Sequence, residues 1–456
     1  MDASDLDRRT RTLSGCIPPH LVSRLLDLGH EEEVARQAGR AEWFCALEWA
    51  RLLGARGRHE EALEVLDPYV ATGWWTAVRA RVELLEDWGR VEEAIALARP
   101  PARGGGFKLE LLARLLARHG HRDEAVTLLS AGIEDPGLAS ALVELSDGAG
   151  RDEEIALLLA ARIPVGHRCE DPWCCRGLDP DTAIGLLSTI RERQGRVDEA
   201  IALLRTRQIT SVNGRDRLAD LLAEQARTEE LRAYSASEPH GYAVRRLAEL
   251  LEERGDVDGA LAVYGQSDDT SMDAADLLAR HGRGDEAIEL MRSLAKSDGS
   301  GHDAYDDDRV VDALCTLYAD QGQALDGLAY LDTLTGHHAD GGEGRLRLGP
   351  RLRLMAACGL LDEAIELVRP HLEGDTPEAA SLVADLLAEA GRTEEAVAIL
   401  APHAADHPTP LAGHLIELGR VEEALALLQH RVREPFVPVW SGTFTHADPV
   451  VNAPGC

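Results

Sequence analysis

One short segment of the chain combines residue types that bind metals. His167, Cys169, Cys174 and Cys175 lie within nine residues of one another. A structural zinc site takes four ligands of these types in a tetrahedron. Because Cys174 and Cys175 are adjacent, the spacing differs from the paired Cys-x-x-Cys motifs of zinc knuckles. Three interpretations stay open: a zinc or other metal site, a redox-active or disulfide pair, and cysteines that pack as small apolar side chains.

Other residues that could do chemistry form no recognised motif. Four aspartates lie between residues 303 and 308, and His337, His338 and Asp340 lie in a later segment. Neither segment has the alternating ligand spacing of a calcium loop, so we interpret both as solvated loops. The sequence contains no nucleophile motif, no His-Glu-x-x-His and no dinucleotide fingerprint. We therefore expect that the protein is not an enzyme.

The elements around these segments repeat one pattern, which is clearest between Ala384 and Leu400. Apolar residues follow at helical spacing on both sides of Gly391, which can adopt the left-handed conformation that ends a helix. Glu394 then falls in the first turn of a second helix, where the helix dipole favours a carboxylate. The small Ala396 lets the two helices approach closely. The stretch predicts an antiparallel helical hairpin.

The turn residue recurs thirteen times at intervals of 27 to 45 residues: Gly29, Gly57, Gly89, Gly120, Gly150, Gly195, Ala226, Gly255, Gly282, Gly322, Gly359, Gly391 and Gly419. The fifth residue after the turn is alanine in nine units, and it is Val34, Ile155, Leu231 and Gly327 in the others. Two helices per unit at such a period predict an α-solenoid, in which each hairpin buries its apolar face against its neighbours.

The repeat resembles the tetratricopeptide repeat. A leucine or valine and a small residue precede the turn, as in that family, at Leu218-Ala219, Leu247-Ala248 and Val383-Ala384, and Tyr264 and Leu400 match its large apolar position after the alanine. Most intervals are shorter than the family's usual period of about 34 residues. The resemblance covers Leu21 to Leu428. It implies an all-α solenoid of about thirteen antiparallel hairpins that form a right-handed superhelix.

The pattern also predicts where the array begins and ends. We expect a polar tail at residues 1–17, the repeat array at 18–430, and a proline-containing tail at 431–456. Within the array, insertions are expected near residues 162–182, 293–309 and 335–350, where the intervals between turns are longest.

Composition excludes some classes of partner. The net charge is −32, and only two lysines accompany the arginines. Double-stranded nucleic acid is not expected as a partner, because phosphate binding needs a basic stripe. The longest apolar runs are too short to cross a membrane, so we do not expect the protein to bind to a membrane. The first 20 residues have no apolar core of a secretory signal, which favours a cytoplasmic location.

Two sets of residues are candidates for partner binding. By resemblance to the tetratricopeptide family, groove positions lie in the last turn of each first helix, which here hold Asp87, Glu224, Glu253, Asp320, Glu389 and Glu417. These carboxylates either bind a basic peptide or only solvate an acidic surface. A tryptophan-rich stretch contains Trp43, Trp49, Trp74, Trp75 and Trp88. It is either a contact surface or the packing that caps the end of the array.

Together these features favour a non-enzymatic scaffold or adaptor that binds a protein or peptide in its groove. The alternative is a metal-binding regulatory or sensor protein that uses the segment from His167 to Cys175. On the first hypothesis the protein has no cofactor, and on the second it holds zinc.

Overall fold

The computed structural model describes residues 2–163, 177–207, 211–212, 215–238, 241–265, 270–295, 304–335, 348–373 and 377–429. The fold in these ranges is all-α. Two two-residue strands, β1 (Ser211–Val212) and β2 (Arg215–Asp216), pair antiparallel and are the only strands among the described residues. The predicted all-α class is confirmed.

The described chain divides into two compact units. One contains residues up to Trp74 together with those from His403 onward, and the other contains Trp75–Pro402. The first unit has α1 (Ala3–Thr12), α2 (Pro19–Asp27), α3 (Glu31–Gly39), α4 (Trp43–Ala55) and α5 (His59–Val70), and, near the other end of the chain, α26 (Pro408–Glu417) and α27 (Val421–Gln429).

The second unit holds the helices between these. They are α6 (Trp75–Asp87), α7 (Val91–Ala102), α8 (Gly106–Arg118), α9 (Arg122–Ser130), α10 (Pro136–Leu145), α11 (Asp152–Ala160), α12 (Pro180–Arg193), α13 (Val197–Leu204), α14 (Arg217–Glu224), α15 (Thr228–Ser235), α16 (Tyr242–Glu253), α17 (Val257–Tyr264), α18 (Ser271–Arg280), α19 (Gly284–Ala295), α20 (Ala304–Asp320), α21 (Ala324–Thr335), α22 (Leu348–Ala357), α23 (Leu361–Glu373), α24 (Pro377–Glu389) and α25 (Thr393–Leu400). A short 3-10 turn, Ala401–His403, follows α25.

From α2 onward the helices form thirteen hairpins, and each predicted turn residue joins the two helices of one hairpin. All thirteen turn residues have positive φ, between 55° at Ala226 and 88° at Gly120. A residue with a Cβ atom costs about 1–2 kcal/mol in this left-handed region, which explains why glycine occupies twelve of the thirteen turns. A Cβ atom on Gly195 or Gly255 would meet no atom within 4 Å, so backbone conformation and not space selects glycine there.

The residue five positions after each turn lies at the centre of its hairpin. The nine alanines at this position have 0% exposure, and so do Val34, Ile155 and Leu231. Gly327 occupies the position in one unit because Tyr318 packs there: a Cβ on Gly327 would lie 3.0 Å from the Cβ of Tyr318. Close approach of the two helices therefore explains the small residues.

In the second unit, hairpins pack against their neighbours in chain order. For example, α7 contacts α8, α11 contacts α12, and α17 contacts α18. Successive hairpins thereby share apolar surface; one continuous cluster runs from Ala200 to Leu277. Such nearest-neighbour packing is the arrangement of an α-solenoid.

In the first unit, the last hairpin packs against the first. Helix α2 contacts α26, where Arg24 donates to Glu417 at 2.8 Å. On α27, Gln429 donates to Gln37 of α3 at 2.8 Å. Residues almost 400 positions apart in sequence therefore pack together in one unit. No local sequence pattern predicts this contact between the first and last hairpins.

Helices overlap three of the predicted tail and insertion segments. The predicted polar tail at residues 1–17 contains the helix Ala3–Thr12, which Asp2 caps and whose Leu6 is buried at 2% exposure. The insertion expected at 293–309 overlaps the end of α19 and the start of α20. The insertion expected at 335–350 overlaps the start of α22, which begins at Leu348. The predicted tail at 431–456 lies outside the described residues.

Candidate functional site

The six predicted groove acids share one position in the repeat. Each lies two residues before the turn residue, at the end of the first helix of its hairpin, and each is exposed. The six are Asp87, Glu224, Glu253, Asp320, Glu389 and Glu417. Their exposure leaves the carboxylates accessible to charged groups of this chain or of a partner.

Arginines of the same chain neutralise three of these acids. Glu224 pairs with Arg217 at 3.0 Å, and Glu253 lies 3.5 Å from Arg246. In the first unit, Glu417 pairs with Arg24 at 2.8 Å, across the contact between the first and last hairpins. A basic partner would have to displace these arginines, so the three acids are weaker binding groups than their exposure suggests.

The other three acids are uncompensated. Asp87, Asp320 and Glu389 are exposed and form no ion pair with another residue in the described part of the chain. All three lie in the second unit, on α6, α20 and α24. They are the predicted groove residues that remain available to an outside cation.

Arginine–acid pairs also link successive first helices. Arg118 of α8 donates to Glu86 of α6 at 2.7 Å, and His119 lies 2.9 Å from the same carboxylate. The Arg118 guanidinium is the main reason that the pKa of Glu86 lies below its ordinary value, and His119 adds to the effect. Arg280, His281 and Glu252 repeat this arrangement on α18 and α16. The first-helix surface thus carries arginines and histidines among its carboxylates and is a network of mixed charge.

A second charged motif at the turns was missed in the sequence. In eight of the thirteen units the turn residue is followed by arginine, which pairs with a glutamate three residues later. The arginines are Arg58, Arg90, Arg151, Arg196, Arg227, Arg283, Arg392 and Arg420. The recurring string Gly-Arg-x-x-Glu could have revealed it. The glutamate occupies the third position of the second helix, where its charge also suits the helix dipole.

The tryptophan-rich stretch divides into buried and partly exposed residues. Trp43 and Trp74 are 3% exposed, and their ring centroids lie 4.8 Å apart in an edge-to-face contact. Trp43 also packs edge-on against Tyr69. These rings form a core within the first unit, so Trp43 and Trp74 cannot form a contact surface in this conformation.

The other three tryptophans are half-buried. In the second unit, Trp75 stacks at a tilt on Phe107, which is 62% exposed, and Lys108 lies 5.7 Å from the centre of the Trp75 ring. In the first unit, Trp49 lines a partly open cavity of about 300 Å³. Trp88 follows α6 in the turn of its hairpin.

The predicted metal ligands cannot be placed. His167, Cys169, Cys174 and Cys175 lie outside the described residues. Across the ranges that the structure describes, no group of three or more His, Cys, Asp or Glu side chains is arranged to hold a metal ion. Over the same ranges, no helix is long and apolar enough to span a membrane.

Comparisons with known proteins give little help. A scan against protein-family models found no match, and a search of curated proteins found none either. Solved structures that match include the APC/C hetero-tetramer Cut9–Hcn1, with 13% identity, coverage of 80% of this chain and 74% of the other, and a TM-score of 0.30. Another is Naa15/Naa10 bound to HypK-THB, with 13% identity, coverage of 89% and 69%, and a TM-score of 0.28.

TM-scores of this size support no inference about fold or function. The hairpins themselves are tetratricopeptide-like: each turn residue is left-handed, and a buried, usually small residue follows it by five positions. These are the features on which the resemblance to the tetratricopeptide repeat rests.

Proposed function

We propose that the protein is a non-enzymatic scaffold that binds a basic peptide or protein along the first helices of its second unit. One observation supports this most directly. Asp87, Asp320 and Glu389 occupy the same repeat position on three first helices, and all three are exposed without an intramolecular cation in the described chain. Unpaired carboxylates at one repeat position favour a partner that carries lysines or arginines.

The arginine network restricts where such a partner binds. Next to Glu224 and Glu253 the chain supplies its own cations, Arg217 and Arg246. A basic partner gains little there, because it would replace one exposed ion pair by another. The affinity therefore resides at the ends of α6, α20 and α24, and the paired positions contribute mainly to selectivity.

The experiment is a charge reversal with a matched control. The site variant combines Asp87→Arg, Asp320→Arg and Glu389→Arg. The control combines Glu92→Arg, Glu229→Arg and Glu394→Arg, which are exposed acids on second helices of the same unit. Both variants change the net charge equally. Tagged wild-type protein and both variants are used to capture partners from host lysate, and the captured proteins are identified by mass spectrometry.

A partner that is retained by wild type and control but lost by the site variant supports the proposal. Equal loss with both variants indicates non-specific attraction to an acidic surface. Retention by both variants moves the binding site away from these three acids. If no protein is enriched with the wild type, the scaffold hypothesis itself fails.

A further inference from the structure

The cavity in the first unit has the chemistry of a binding site for a cationic side chain. It lies between α3 and α5 and has a volume of about 300 Å³. Its lining residues are Ala35, Ala38, Gly39, Ala41, Trp49, Glu64, Val65, Pro68 and Tyr69. The residues from α3 and the turn after it are all small, which leaves space for an incoming group. The volume suits one or two side chains and not a large ligand.

Glu64 is the only ionisable carboxylate of the lining. It is exposed, and no described residue forms an ion pair or hydrogen bond with it. Neighbouring acids on α3 to α5 already have arginine partners: Arg36 pairs with Glu33, Arg51 with Glu48, Arg56 with Glu31 and Arg58 with Glu61. Arg40 is exposed and is not among the lining residues. Glu64 is therefore left uncompensated beside the cavity.

Glu64 also offers a second acceptor. Pro68 lies four residues later within the same helix and lines the same cavity. Proline has no backbone N–H, so the main-chain carbonyl of Glu64 lacks its usual helical donor. A carbonyl without that donor favours an incoming N–H group. Glu64 thus lines the cavity, and its carbonyl is not hydrogen-bonded by the main chain of residue 68.

Trp49 supplies the aromatic wall. Its indole is half-buried, and it takes part in no ring stacking or cation–π contact within the described structure. Cations are attracted to the face of an aromatic ring, and tryptophan gives the strongest such interaction. A planar guanidinium can stack on an indole while its N–H groups reach a carboxylate and a carbonyl, which a point-like ammonium cannot do as well.

We propose that this cavity binds an arginine side chain of a peptide or protein partner. Trp49 stacks on the guanidinium, and the carboxylate and carbonyl of Glu64 accept its hydrogen bonds. The lining residues belong to the first unit, whereas Asp87, Asp320 and Glu389 belong to the second, so the two proposals rest on different residues. The two proposals can therefore fail independently.

Isothermal titration calorimetry with acetyl-tetra-arginine amide at physiological salt tests the assignment. The full-length protein is compared with Glu64→Gln and Trp49→Leu, and with Glu32→Gln as a control that removes an exposed acid from α3. We expect one site per chain and an affinity about tenfold lower in both cavity variants, with the control unchanged. Tetra-lysine should bind more weakly than tetra-arginine, and a tetra-citrulline peptide should not bind.

Several outcomes overturn the proposal. Wild-type protein that does not bind tetra-arginine excludes the site. Equal weakening by Glu64→Gln and Glu32→Gln indicates general attraction to an acidic protein. Because Glu64 is exposed and has no partner among the described residues, Glu64→Gln leaves the fold intact, and its result stands even if Trp49→Leu lowers stability. The charge-reversed first-helix variant should bind tetra-arginine at this site like the wild type, which separates this test from that of the scaffold function.

Discussion

Arg392 and Asp362 join two neighbouring hairpins across their turns. Nη1 of Arg392 donates to Oδ1 of Asp362 at 2.6 Å, while the same guanidinium holds Glu395 of its own helix at 2.7 Å. These carboxylates, Glu395 first, raise the pKa of Arg392. Arg283 makes the same two contacts with Asp258 and Glu286, so the arrangement recurs at equivalent positions of the repeat.

These ion pairs between neighbouring hairpins should make the stability of their packing depend on salt concentration. The double substitution Asp258→Asn and Asp362→Asn removes the contacts between hairpins and leaves those within each helix. We expect a lower Tm at low ionic strength and a smaller difference from wild type in about 1 M NaCl, because exposed ion pairs are screened. Glu92→Gln, at an equivalent exposed position, is the control. A decrease in Tm that is independent of salt would contradict an electrostatic contribution of these ion pairs.

The backbone conformation at the turns predicts substitutions of opposite sign. Ala226 has φ 55°, in the region that favours glycine, so Ala226→Gly should raise the free energy of unfolding by about 0.5–1 kcal/mol. Gly195 has φ 75°, so Gly195→Ala should lower the free energy of unfolding by a similar amount. Urea unfolding followed by circular dichroism measures both changes.

Gly185→Ala is the control for the turn substitutions, because Gly185 lies inside α12 and a Cβ there meets nothing within 4 Å. Inside a helix, replacement of glycine by alanine should raise the free energy of unfolding by up to about 1 kcal/mol. If Gly195→Ala and Gly185→Ala shift the urea midpoint in the same direction, conformation at the turn does not explain the glycine.

Gly327 should resist even the smallest enlargement. A Cβ there would lie 3.0 Å from the Cδ1 of Leu354 and 3.0 Å from the Cβ of Tyr318. We expect Gly327→Ala to destabilise by about 1–2 kcal/mol, since overpacking exceeds the gain in helix propensity. Gly413→Ala serves for comparison, because its Cβ would lie 3.5 Å from Leu21, an ordinary contact. Thermal unfolding of the two variants should differ in sign; a stable Gly327→Ala protein would contradict the packing argument.

Acid should selectively weaken the pair of Glu86 with Arg118. Hydrogen bonds from Arg118, and secondarily His119, lower the pKa of Glu86 in the folded protein below its ordinary value of 4.5. The interaction therefore stabilises the fold above about pH 4.5, and this stability is lost as the pH falls through the folded-state pKa. Glu86→Gln should be less stable than wild type at pH 7, and the difference should shrink as the pH falls through the folded-state pKa of Glu86.

The control for this pH series is Glu83→Gln, on the same helix, whose partner Arg79 lies 3.3 Å away with both side chains about half exposed. Its effect should be smaller at every pH. Denaturant midpoints between acid and neutral pH would show the difference. An effect of Glu86→Gln that stays constant over this range would mean that charge is not its origin.

The cysteines that the structure describes should fall into two classes of reactivity. Burial raises the pKa of the Cys16 and Cys315 thiols to about 11, so few thiolates exist near neutral pH and alkylation should be slow. Cys358 is only half-buried and should react earlier. Mass spectrometry after timed iodoacetamide treatment measures the order. Rapid labelling of Cys16 in folded protein would contradict its burial.

The zinc hypothesis for His167, Cys169, Cys174 and Cys175 stays a prediction from sequence. It expects stoichiometric zinc in purified protein, and loss of that zinc in the double variant Cys174→Ser/Cys175→Ser. Cys358→Ser is the control and should retain the metal. Metal-free wild-type protein would remove the main support for a metal-dependent sensor.

Local patterns in the sequence determined the repeat itself. Gly391 and Ala396 specify a turn and a close helix contact through properties of one residue each, conformational freedom and small size. The same two signals, repeated, predicted all thirteen hairpins, and the Gly-Arg-x-x-Glu string contained the turn ion pair as well. Such features are readable because their partners lie within one or two helical turns.

Only the tertiary structure decided which charged side chains are already paired and which tryptophans are buried. Glu417 and Asp87 occupy the same repeat position, yet Arg24, almost 400 residues away, neutralises Glu417, while Asp87 has no ion pair in the described chain. Likewise, Trp74 and Trp75 are neighbours in sequence, but only Trp74 is buried against Trp43. Pairing and burial depend on distances between segments far apart in the chain, and a repeat pattern contains no information about those distances.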